Sequence, residues 1–205
     1  MSSSFEYRDP LPPAFSALAE LTDARNADGK SLQNPPRSSL LNRDRRAVPS
    51  TQAQTSAPAK RDAEGSAELS EWYTSYPEEL DTSNNAYDFH VYYSTPSQLS
   101  HARKLHQRIR YEFPELRIYK FWEDPIGPHP EPMFEVNTFT PSQFGALFGF
   151  LTAYRGDLSV LIHPNTDDEL ADHTTKATWM GARLELKTEF LKPDARFGRG
   201  ATTTA

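Results

Sequence analysis

Hydrophobic and polar positions alternate with period two in four short stretches of this chain and recur with helical spacing in two others. Two stretches are copies of one pattern. FHVYYSTPSQ at 89–98 and FEVNTFTPSQ at 134–143 share Phe, Val and the whole of TPSQ at an offset of 45 residues. In each, an alternating run rich in β-branched and aromatic residues predicts a strand, and TPSQ predicts the start of a helix. Thr95 and Thr140 read as N-caps, Pro96 and Pro141 as first helical residues, and Gln98 and Gln143 as the far side of capping boxes. Apolar residues then follow at helical spacing: Leu99, Ala102, Leu105, Ile109 and Phe113 in one copy, Phe144, Leu147, Phe148, Leu151 and Tyr154 in the other. A second strand pattern follows each helix, LRIYKFW at 116–122 and LSVLIHP at 158–164.

Strand, helix, strand, twice over, predicts an α+β fold: a ferredoxin-like βαββαβ sandwich. Right-handed crossovers put both helices on one face and the two repeat-bearing strands side by side at the sheet centre. Alternation along the strands then assigns the faces. Phe89, Val91, Tyr93, Phe134, Val136, Val160 and Ile162 turn towards the helices. Asp88, His90, Tyr92, Glu135, Asn137, Leu161 and His163 share the opposite, open face.

The chain before this pattern has a different character. Residues 1–84 hold eight of the seventeen prolines and show no apolar periodicity beyond AFSALAELTDA. So few large apolar residues cannot offset the entropy of ordering, which predicts a long, mostly disordered N-terminal tail. The domain is expected over 85–193 and a flexible end over 194–205. SEWYTSYPEEL at 70–80 is expected either to dock on the domain through Trp72, Tyr73 and Tyr76 or, like RDRR at 43–46, to recruit a partner.

Composition narrows the function classes. The chain has 205 residues, a net charge of −6 and no cysteine, which excludes disulfides, cysteine-ligated zinc and thiol catalysis. Its basic residues do not form the clustered surface that nucleic acid requires. No apolar run is long enough to span a bilayer or to form the core of a signal peptide, so a cytoplasmic protein is expected, with no membrane partner. A domain this small buries a modest core, and a homodimer is the expected assembly.

The candidate chemistry lies in the histidines, all six of which fall between His90 and His173. His90 and His163 point to the open face from neighbouring strands, beside Glu135. His129 sits in DPIGPHPEP at 124–132, where prolines stiffen the connection between the second and third strands. Folded back, this loop hangs His129 over the same face. One histidine on a half-exposed strand is ordinarily a packed residue, and a polar face can be a solvated or dimer surface. Three converging by independent topology point instead to metal ligation, the commonest use of neutral imidazole. His101, on the polar edge of the first helix, and His106, near its apolar stripe, read as structural; Trp122 and Trp179 read as core or interface.

The motifs FHVYY, GPHP, LIHPNT and DELADHTTKATWMG, in that order over residues 85–185, resemble the DOPA 4,5-dioxygenase family of fungi and bacteria. The resemblance implies a ferredoxin-like dimer that opens the ring of DOPA or a related catechol beside its hydroxyl pair, using dioxygen and non-haem Fe(II). In fungi the product, a seco-DOPA, leads to betalain-type pigments. It also carries the family's histidines onto His90, His129, His163 and His173. Bacterial relatives have a histidine where this chain has Asp88, and tend to have glutamine where it has Glu135.

Extradiol cleavage needs three protein ligands and open positions on the metal, often two histidines and a carboxylate. Two sets are available: His90, His129 and His163, or His90, His163 and Glu135. The family motifs favour the first, with iron preferred to zinc although three histidines also suit zinc. His173 is then the acid–base residue, Tyr92 and Asn137 are substrate hydrogen-bonding partners, and Arg155 or Lys176 is a partner for a substrate carboxylate. The competing reading is a dimeric, non-catalytic module that holds a small aromatic ligand without metal.

Overall fold

The computed structural model describes residues 19–36, 70–76, 80 and 84–191. Its elements run β1 (Tyr87–Tyr92), α1 (Pro96–Glu112), β2 (Arg117–Ile118), β3 (Met133–Thr138), α2 (Pro141–Tyr154), β4 (Ser159–Pro164), α3 (Glu169–His173) and β5 (Thr178–Met180). The sheet is antiparallel in the order β2-β3-β1-β4-β5. The two repeat strands are neighbours at its centre, so the fold is α+β with the expected βαββαβ core.

The repeat caps the helices as its sequence requires. The Thr95 hydroxyl accepts from the amide of Gln98 at 3.2 Å and the Thr140 hydroxyl from that of Gln143 at 3.3 Å. The two glutamine side chains reach back to the amides of Ser94 and Phe139, at 2.9 and 2.8 Å. Two donors left over at each helix start are thereby satisfied.

Alternation along the strands builds the core. Phe89, Val91, Phe134, Val136, Val160 and Ile162 pack against Leu105, Ile109, Leu147 and Leu151 of the helices in one buried cluster. Burial of each such side chain contributes roughly 1.5–3 kcal/mol. Phe148, expected in the stripe of α2, is instead 38% exposed.

The other sheet face is covered rather than open. Tyr92, Met133 and Leu161 form a second, smaller cluster there with Trp122, Trp179, Leu184 and Leu186. The segment that covers them includes α3 and β5, which the periodicity does not announce because each is too short to show a repeat.

β2 is shorter than the predicted run over 116–122. Tyr119 and Trp122 still donate to the carbonyls of Glu135 and Met133, at 3.0 and 2.9 Å. Between them the ladder is broken. Phe121 turns to pack on Tyr93, His106 and Phe134, with ring centroids 4.9–5.4 Å away.

Residues 19–36 depart from the expectation of a disordered tail. Leu32 is 1% exposed within the main core, and its amide donates to the Ile118 carbonyl at 2.8 Å. Ser31 bridges to Tyr119, so the segment pairs alongside β2 at the sheet edge. Arg110 of α1, 2% exposed, donates to the carbonyls of Thr22 and Gln33, and Tyr111 donates to that of Ala19 at 2.9 Å. A single leucine plus polar contacts to an edge leaves no periodic trace in sequence. Further on, Tyr76 packs on Tyr87, while Trp72 and Tyr73 stay exposed. The remaining tail positions and the expected flexible end lie outside the described residues. Among the described residues, no helix is long and apolar enough to cross a membrane.

Candidate metal centre

The antiparallel register brings the polar positions together. On β1, Asp88 lies opposite Asn137 of β3 and His163 of β4, and His90 lies opposite Glu135 and Leu161. The 124–132 loop folds back as its prolines predict. Gly127 takes the left-handed φ of 57° that a turn here requires, and the His129 amide closes the turn on the Ile126 carbonyl at 3.0 Å. The Lys187 amide donates to the Pro128 carbonyl at 2.9 Å, which ties the loop to the covering segment. α3 delivers His173 beside His163.

Four imidazoles therefore meet. The His90 ring centroid lies 4.1 Å from that of His129 and 5.1 Å from that of His163, and His163 lies 3.9 Å from His173. The Nε2 atoms of His90 and His163 are 3.0 Å apart. Donor atoms of His90, His129 and His173 all lie within 4.8 Å of one another, and so do those of Asp88, His90 and His163. The first of these groups has His173 where the sequence expectation put His163. The second contains Asp88, which the sequence reading placed on this face without giving it a role; its carboxylate is 3.9 Å from His163 Nε2.

The hydrogen bonds fix which ring nitrogens face inward. Nδ1 of His163 lies 2.8 Å from the Pro164 carbonyl, and Nδ1 of His173 lies 2.8 Å from the Glu169 carbonyl. A carbonyl only accepts, so both Nδ1 atoms carry the proton and both Nε2 atoms carry a lone pair. His129 is engaged at Nδ1 by the Tyr92 hydroxyl, 2.6 Å away. His90 Nδ1 is buried with no hydrogen-bond partner, and Glu135 is 4.0 Å from it. Burial also keeps the rings neutral. It pushes His129 down to about 3 and His173 to about 4, and lowers His163 and His90 as well. Several buried lone pairs that face one another with too few protons between them form a set a divalent cation would satisfy. The donor set fits a metal ion.

Carboxylates frame the histidines. Burial and the neighbouring Asp88 push Glu135 up to about 8, and burial pushes Asp88 up to about 6. Asp88 accepts from Asn85 Nδ2 at 2.5 Å and from Asn137 Nδ2. Asn137 also donates to Glu135 at 2.7 Å and accepts from Arg117 Nε at 2.6 Å. Asn137 is thus fully buried and fully engaged by protein groups, and Tyr92 is tied to His129 and stacked on Trp179. Neither of these expected substrate contacts lines the cavity over the histidines. Arg155 and Lys176 are also occupied elsewhere: Arg155 donates to the carbonyls of Gly156 and Leu158, and Lys176 to Thr166 and Asp172.

That cavity has a volume of about 660 Å³ and is reached by His90, His129, His163 and His173 together with Arg117 and Trp122. A larger one, about 760 Å³, lies between the docked segment and residues 120–126. Its one histidine, His106, is spent on the Tyr119 carbonyl at 2.8 Å. His101, expected at the polar edge of α1, is likewise buried and 3.0 Å from the Tyr154 carbonyl.

A ferredoxin-like sheet that gathers four neutral histidines beside a cavity defines a candidate metalloprotein. Comparison with known proteins makes the class specific. Residues 87–190 match the model of the Dopa 4,5-dioxygenase family, and the chain belongs to that family. It is 41% identical over 200 residues to an uncharacterised 21.2 kDa protein of Botryotinia fuckeliana, covering 93% of each chain. It is 32% identical over 115 residues to the DOPA 4,5-dioxygenase of Amanita muscaria, covering 52% of this chain and 50% of that one. The crystal structure of a candidate dioxygenase from Nostoc punctiforme is similar at 33% identity with a TM-score of 0.50, covering 55% of this chain and 92% of that one. Family and structural neighbour support a dioxygenase.

Proposed function

We propose that this chain is an extradiol dioxygenase that opens the ring of DOPA or a related catechol, using Fe(II) held by His90, His129 and His173. The convergence of neutral imidazoles, with inward-facing Nε2 atoms, carries the reading. When bound there, iron supplies the electron exchange between catechol and dioxygen that lets both oxygen atoms enter the product. The fixed Nδ1–H bonds of His163 and His173 orient their rings, and the Tyr92 hydroxyl orients His129.

The ligand set differs from the sequence expectation in exchanging the roles of His163 and His173. His163 presents its Nε2 lone pair 3.0 Å from His90 Nε2 and 3.9 Å from the Asp88 carboxylate. It can accept a proton from a catechol hydroxyl, with Asp88 stabilising the imidazolium, and return it as the ring opens. Asn137 and Arg117 hold Asp88 and Glu135 in place for this. The cytoplasmic location, the homodimer and a pigment-forming product of the seco-DOPA type belong to the same proposal.

Anaerobic Fe(II) loading followed by DOPA and air tests the activity, read as a new visible absorption. Single variants test the roles. His90→Ala, His129→Ala and His173→Ala should lose iron, whereas His163→Ala should retain it and turn over about 10²- to 10⁴-fold more slowly. Iron retained by His173→Ala and lost by His163→Ala would restore the set His90, His129 and His163. Catechol affinity that is indifferent to chelators, with no ring opening, would favour the non-catalytic module.

A further inference from the structure

The docked segment 19–36 reaches the same cavity. Asp28 and Lys30, both outside the family-matched residues, line it together with Arg117 and the histidines. They sit on a turn held from within. Asn26 Nδ2 donates to the Leu32 carbonyl at 2.9 Å, and Gly29, at φ 68°, donates to the Asn26 carbonyl at 3.0 Å. The Asp28 carboxylate accepts from the amides of Lys30 and Ser31, at 2.8 and 2.9 Å, and from the Ser31 hydroxyl at 2.5 Å. Leu32 in the core and Arg110 on the Thr22 and Gln33 carbonyls anchor the two arms of the turn.

The charges around the cavity are unevenly committed. Asp28 is taken up by its own turn, Asp88 by Asn85 and Asn137, Glu135 by Asn137, and Asp172 by Thr166 and Lys176, and Glu169 is not free either. Arg117 is tied to Asn84, Asn85 and Asn137. Lys30 differs: among the described residues its ammonium has no hydrogen-bond or ion-pair partner, and it is exposed at the cavity. An unpaired ammonium on a braced turn beside this cavity of about 660 Å³ is available to an anionic group of the ligand.

We propose that the segment 19–36 completes the substrate site, and that Lys30 selects catechols whose side chain carries a carboxylate. The inference rests on the catechol-cleaving reading above and adds a specificity-determining residue from outside the family domain.

A matched pair of probes tests it: 3-(3,4-dihydroxyphenyl)propionate and 4-ethylcatechol, which differ by the carboxyl group. Binding to the Fe(II)-loaded full-length protein is followed under argon by tryptophan fluorescence, since Trp122 lines the cavity. The parent should bind the propionate more tightly. Lys30→Ala should weaken the propionate about 1.5- to fivefold, the range of an exposed charge pair, and leave 4-ethylcatechol unchanged. Lys30→Arg should retain the preference, and added salt should erode it. Equal loss for both probes means that Lys30 only braces the turn and overturns the inference, as does no loss for either. A parent that binds both probes equally overturns it alone. A parent that binds neither overturns the catechol reading as well.

Discussion

The hydroxyl of Tyr92 lies 2.6 Å from Nδ1 of His129, joining the central strand to the tip of the proline-rich loop. Tyr92 is buried and stacked on Trp179, so the phenol cannot follow the loop if the loop moves. It holds the imidazole instead. Tyr92→Phe should keep the fold, at a cost of about 1 kcal/mol, and weaken metal binding roughly 10- to 100-fold. Chelator competition measures this, and unchanged metal affinity would mean that the loop alone orients His129.

Glu135 provides a second check, because burial beside Asp88 pushes its carboxyl up to about 8 from an ordinary value of 4.5. The native metal-free protein then holds a proton that the unfolded chain has already released above pH 4.5. Stability from this group is complete below that value and is lost as pH rises towards 8. Glu135→Gln mimics the protonated form, so it should match the parent near pH 4.5 and exceed it at pH 8 by on the order of a few kcal/mol. It should also retain iron. Urea unfolding at the two pH values decides the first point, and metal analysis the second.

His106 titrates in the opposite sense and lies away from the histidine cluster. Burial pushes it down to about 4 from 6.5, and it is held on the Tyr119 carbonyl. Its contribution is complete above pH 6.5 and is lost as pH falls towards 4, by roughly 3 kcal/mol in all. In His106→Gln the acid limb of the stability profile of the metal-free protein should flatten by one proton over this range. A limb of unchanged slope would show that other groups govern acid unfolding.

Leu32 gives the docked segment its energetic test. Leu32→Ala removes a fully buried side chain from the main core and should cost about 2–5 kcal/mol. Removal of residues 1–36 should cost at least as much, because it also uncovers Ile118 and takes away the carbonyl partners of Arg110. A truncated domain with parent stability would return the segment to the dispensable tail that its composition suggests.

The particular residues explain what could be read in advance. The sequence by itself determined the two strand–helix repeats, because threonine, proline and glutamine at cap positions and period-two alternation act locally, within a few residues. From these alone follow the central strand pair, the core face of Phe89 and Val136, and the shared face of His90, Glu135 and His163. Only the tertiary structure decided the rest. The nearness of His173 to His163 depends on where a five-residue helix lands, and no periodicity encodes that. Asp88 gained a place beside His163 through strand register, and Tyr92 and Asn137 were drawn away from the cavity by partners on other strands and loops. The segment 19–36 docks through one leucine and a set of backbone carbonyls offered to Arg110 and Tyr111. Backbone acceptors are the same in every sequence, so a contact made through them is invisible until the chain has folded.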